Sequence, residues 1–66
     1  MLTVREFADI LGVHKSRVQQ MIYWQKLHAE KIGRDWLISE DEAERVIKAR
    51  QEKGIEPRIK KWRQQT

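Results

Sequence analysis

Cysteine is absent from this 66-residue chain. Neither disulfides nor thiolate metal sites can therefore supplement its core, and nothing in it calls for an oxidising compartment. No apolar run approaches the roughly 18 residues needed to cross a bilayer. The opening Met1-Leu2-Thr3-Val4-Arg5-Glu6 is not a basic region followed by an apolar stretch, so a cytoplasmic protein with no membrane partner is expected. The chain has no internal repeat, low-complexity stretch, Gly-rich phosphate loop or nucleophile elbow. His14 and His28 stand far apart, each without a second ligand at helical spacing. No catalytic residue, metal or cofactor is expected, and the chain reads as a non-enzyme.

A chain this short buries only about 60% of its unfolded surface, which leaves room for one modest core. Its excess is of positive charge, with 14 Lys and Arg against 10 Asp and Glu for a net charge of +4. Such a balance favours polyanionic partners. The charge is unevenly spread: residues 1–38 hold six bases and four acids, residues 39–53 four and five, and residues 54–66 four and one. The acid is thus concentrated in the middle segment.

Thr3-Val4-Arg5-Glu6 has the form of a capping box, with Leu2 and Phe7 placed as a hydrophobic staple. A helix is predicted from Val4, its buried stripe formed by Val4, Phe7, Ala8 and Leu11, and Gly12 ends it. A second helix starts almost at once from a cap at His14, spans Lys15 to Trp24, and turns Val18, Met21, Ile22 and Gln25 to the core. Two helices joined by about three residues must cross steeply, which is helix-turn-helix geometry. Leu27 to Ile32 and Asp35 to Ile38 read as two strands around a Gly33-Arg34 turn, with Trp36 and Ile38 facing the helices. Ser39-Glu40-Asp41-Glu42 repeats the capping-box logic for a third helix, whose inward stripe is Ala43, Val46, Ile47 and the stem of Arg50. Gly54 stops that helix. Pro57 then sets off a basic tail, read as a short extra helix with Pro57 in its first turn. The expected fold class is mainly α with a small two-stranded β-hairpin: residues 1–54 form the winged domain and residues 55–66 the tail.

In this order and spacing the chain resembles the excisionase-type helix-turn-helix domains, relatives of the DNA-binding head of MerR-type regulators. The resemblance spans roughly residues 2 to 50. It is carried by Thr3-Val4, Ala8, Leu11-Gly12-Val13, Val18, Ile22, Lys26-Leu27-His28-Ala29, Ile32 through Ile38, Ser39 and Asp41. It implies a winged helix whose second helix enters the major groove of double-stranded DNA while the wing meets the flanking backbone or minor groove. It also implies a role in site-specific recombination or in transcriptional control, often on mobile elements. Three positions depart from the family pattern: Gln25 where a Gly is usual, His14 where Ser or Thr usually caps, and Leu37 at a strand position that is often polar.

On the second helix, a 100° step per residue places Ser16, Gln19, Gln20 and Tyr23 opposite the core face, flanked by Lys15 and Arg17. Gln pairs bidentately with adenine, Ser bonds a base edge or a phosphate, and Arg grips guanine or the backbone. An ordinary solvated helix face has much the same composition. Lys31 and Arg34 are the wing's candidates, Arg34 at its tip, where Arg either enters a narrow minor groove or only keeps the turn soluble. The amides of Val4 and Arg5 at the first helix start are free to receive a phosphate. Trp36 is expected in the core, Trp24 partly buried against the wing, Tyr23 on phosphate or base, and the two histidines as a cap and a wing residue. In the tail, Lys60, Lys61 and Arg63 can follow a phosphate backbone, or Ile59 and Trp62 can fold back onto Leu37 or pair with a neighbouring molecule. The expected partners are double-stranded DNA and, beyond it, a second copy or a recombinase. No small-molecule effector is expected, because the long coiled-coil helix and effector domain of MerR-type sensors are missing. A protein-interaction adaptor like the winged head of terminase small subunits is the rival reading.

Overall fold

A computed structural model describes residues 1–62. In chain order the elements are β1 (Leu2–Thr3), α1 (Val4–Leu11), α2 (Lys15–Tyr23), β2 (Glu30–Ile32), β3 (Asp35–Ile38) and α3 (Glu40–Glu52). The capping box of α1 closes as its residues require: the Glu6 amide donates to Thr3 Oγ1 at 3.1 Å and the Thr3 amide to Glu6 Oε1 at 2.9 Å. At α2 the cap is His14, whose Nδ1 accepts from the Ser16 amide at 3.2 Å. The sheet differs from the expected hairpin. Its order is β1-β3-β2, all antiparallel, with Leu2 opposite Ile38 and Thr3 opposite Leu37. Thr3 thus ends a strand and caps a helix in the same residue.

The core is Phe7, Ala8, Ile10, Leu11, Val18, Leu27, Ile38, Ala43, Val46 and Ile47, drawn from all three helices, the central strand and, at Leu27, the linker from α2 to β2. Ile10 falls outside the predicted stripe. It is buried as part of the core, and the tail returns to its backbone at the end of α1, where the amides of Arg58 and Ile59 both donate to the Ile10 carbonyl, at 2.7 and 3.2 Å.

Several expectations are corrected by the packing. Leu27, His28 and Ala29 do not extend β2, because two of their amides are committed elsewhere: Leu27 donates to the Met21 carbonyl at 3.2 Å and His28 to Glu42 Oε2 at 2.9 Å. Glu42 in turn does not complete a capping box at Ser39. The Ser39 hydroxyl accepts from the Glu42 amide at 3.2 Å, but the carboxylate is held by His28 and by Arg45, at 2.9 and 2.5 Å from the guanidinium nitrogens. Gln25 does not face the core. It is the exposed residue after the α2 cap, at φ 60, while Lys26 N–H reaches back to Met21 O at 2.8 Å and its own N–H to Ile22 O at 3.0 Å. Trp24 is 53% exposed, with the Lys26 ammonium 5.9 Å from its ring centroid. Trp36 is 36% exposed while Ile38 is fully buried: both follow the same strand period, but Trp36 lies nearer the hairpin tip and meets the flank of α2 at Gln19 and Ile22. Beyond Gly54 no helix forms among the described residues. Trp62 packs against the core alongside Ile47 and Pro57, while Leu37 opens to the opposite hollow with Met1 and His28.

Candidate nucleic-acid interface

The second helix contributes one fully buried anchor, Val18, with Met21 and Ile22 half-buried beside it. Lys15, Ser16, Arg17, Gln19, Gln20 and Tyr23 are all exposed, Tyr23 at 84%. The predicted polar face therefore exists as a surface. One member is partly committed: Ser16 Oγ lies 2.9 Å from His14 Nδ1, so its hydroxyl supports the cap as well as facing solvent.

What the strand register adds is a meeting point. Because β1 pairs with β3, the start of α1 is held against the wing, and Arg5, Lys15, Gln19, Arg34 and Trp36 line one hollow of about 260 Å³. Three cations of separate elements converge there around the apolar face of Trp36, with Asp35 as the single acid. None of the three is ion-paired among the described residues, where the one salt bridge is Glu42 with Arg45. Unpaired cations beside a helix start present what a phosphate oxygen needs: positive charge and N–H donors. A second hollow of about 240 Å³, between Gln19, Ile22, Tyr23 and Trp36, continues the surface along α2 towards its end. The turn at the wing tip has positive φ at Gly33 and not at Arg34, as in a type II′ hairpin, and Arg34 is exposed there.

Arg17 and Gln20 are exposed on α2 and line neither of these hollows. Lys31 is exposed and holds its ammonium 5.8 Å from the Trp36 centroid, its cross-strand partner. Lys60 and Lys61 are exposed, and Lys60 lines a different hollow beside α3 together with Glu44 and Glu56, away from the recognition face. Arg63 lies outside the described residues. Sequence reasoning named the Arg5 amide but passed over its side chain, and it placed Trp36 in the core. The alternation of Trp36 with Ile38 was visible; its exposure near the hairpin tip was not.

The matching family model, described as a helix-turn-helix domain, covers residues 1–51. The chain belongs to this helix-turn-helix domain family. It is accordingly a DNA-binding helix-turn-helix protein. No curated protein and no solved structure matches it. Within this helix-turn-helix domain the linker from α2 to the wing is tied to α3 from outside. Glu42 takes the His28 amide, and Arg45 Nη2 donates to the Lys26 carbonyl at 3.4 Å. The Arg45 guanidinium, helped by the His28 amide, holds the Glu42 carboxyl down to about 2, and Glu42 raises Arg45 in return. Among the described residues no helix is long and apolar enough to cross a membrane.

Proposed function

We propose that the protein is a sequence-specific binder of double-stranded DNA, acting as an excisionase-like recombination directionality factor or as a compact transcriptional regulator. The helix α2 enters the major groove, with Gln19, Gln20 and Tyr23 towards the base edges and Lys15 and Arg17 towards bases or backbone. The wing rests on the flanking backbone or minor groove through Arg34, with Lys31 behind it. Residues 1–54 carry this binding, and residues 55–66 are accessory to it. The observation that supports the reading best is the convergence of Arg5, Lys15 and Arg34 on one hollow beside the exposed polar face of α2. A head this small meets a single half-site weakly, so useful affinity comes from a second copy or from a recombinase bound alongside. Of the two tail residues on which the rival adaptor reading depends, Trp62 packs on the chain's own core while Ile59 stays 42% exposed.

Selection of bound sequences from a random duplex pool, followed by salt titration, tests the proposal. A recurrent motif should emerge, and affinity should fall steeply as salt rises. Arg17→Ala and Arg34→Ala should each weaken binding roughly tenfold, with the fold intact by circular dichroism. Salt-insensitive binding without an enriched motif, or unchanged isotherms for both variants, would refute it.

A further inference from the structure

The tail returns to the far end of α1 and is fixed there on both sides of Arg58. Pro57 is buried, the amides of Arg58 and Ile59 share the Ile10 carbonyl, and Trp62 packs against the core. The Arg58 stem then runs over the helix-turn-helix turn. Its Cβ, Cγ and Cδ lie 3.1, 3.8 and 3.5 Å from where a Cβ on Gly12 would stand. Gly12 is the residue that ends α1, three positions before α2 opens at Lys15, and its missing side chain leaves the shelf on which Arg58 lies. Arg58 is exposed, and its guanidinium has no ion pair or hydrogen bond among the described residues.

We infer that Arg58 is a backbone phosphate contact on the side of α2 opposite the wing, so that the protein grips both walls of the groove. The inference rests on the reading that α2 enters the major groove. Its geometric support is the length of α1, which at eight residues is about 12 Å, close to the width of the major groove of B-DNA. Arg5 and Arg34 stand together at the first turn of α1, and Arg58 stands at its last. On this reading the two cationic points, about the length of α1 apart, lie on the two walls of the groove. Of the other described tail cations, Lys60 lines the hollow beside α3 with Glu44 and Glu56 and Lys61 is exposed further along the tail, whereas the Arg58 stem lies against Gly12 at the turn.

The test uses the full chain carrying Arg58→Gln, which keeps most of the stem over Gly12 and removes the charge. Binding to a labelled duplex is followed by fluorescence anisotropy from about 50 to about 200 mM salt. The slope of log K against log salt should fall by about 1, and affinity at low salt by roughly 3–10-fold, equally for selected and random sequences. Arg58→Lys should keep the parental slope. Parental slope and affinity in Arg58→Gln would overturn the inference alone. So would a loss shared by Arg58→Lys and accompanied by a lower melting temperature, since that marks a packing role. A parent chain that binds no duplex would overturn the groove reading and this inference with it.

Discussion

The two helices of the helix-turn-helix pair are nearly equal in length and differ in almost everything else. In α1, four of eight residues are buried, and the cap at Thr3 is reciprocal. In α2, one of nine is buried and a single histidine nitrogen does the capping. Both helices close with the same pair of backbone bonds, one from the residue in the left-handed conformation and one from its successor. That residue is Gly12 after α1 and Gln25 after α2. A side chain in that conformation costs roughly 1–2 kcal/mol that glycine avoids. The first helix is therefore specified by its own residues, whereas the second is held by its neighbours: Val18 in the core, and the Glu42–Arg45 pair pinning the chain that leaves it. Surface that contributes little to folding is free to be chosen for contact.

Breaking the stronger partner should show the largest effect. Phe7→Ala removes a fully buried ring and should cost about 3–5 kcal/mol, enough to unfold much of so small a domain in a thermal melt. Next comes Gly12→Ala, which forces a side chain into φ +75 and onto the Arg58 Cβ 3.1 Å away. A loss of roughly 1–2 kcal/mol is expected in urea unfolding. The external tie to α2 is tested with acid. The Glu42 carboxyl is lowered from 4.5 to about 2 in the folded protein. Its contribution is therefore complete above pH 4.5 and lost as pH falls towards 2. Glu42→Gln should flatten that acid limb in a pH-dependent melt and cost about 1 kcal/mol at neutral pH, a modest figure because solvent screens the exposed Arg45 end. The smallest change has the opposite sign. Gln25→Gly should raise stability by roughly 0.5–1 kcal/mol, the relief of the left-handed strain less the entropy of a glycine in the unfolded chain. A destabilised Gln25→Gly would refute the account of how α2 ends.

Local rules made most of the fold legible. The caps at Thr3, His14 and Ser39, the stop at Gly12 and the turn at Gly33 depend on residues within a few positions of one another, and all are where their neighbours imply. What escaped depends on contacts distant in sequence. The pairing of Leu2 with Ile38 cannot be seen from a two-residue strand, and nothing local foretells that the tail returns to the Ile10 carbonyl. Glu42 looked like a capping residue because its spacing from Ser39 was right, but an arginine one turn on and a backbone amide fourteen residues back made better partners. For the interface, the polar face of α2 followed from helical periodicity alone. The hollow joining it to Arg5 and Arg34 did not, since it exists only because β1 brings the start of α1 against the wing.

The absence of any connecting residue between β1 and α1, with Thr3 serving both, makes the hairpin and the first helix mechanically continuous. A load applied at the wing tip passes along β3 into β1 and arrives at the first turn of α1 with no loop to absorb it. Lengthening the chain between Thr3 and Val4 would release that strain path and, by shifting Leu2 one place against Ile38, turn its side chain away from the core. This junction is therefore a place that should not tolerate an insertion.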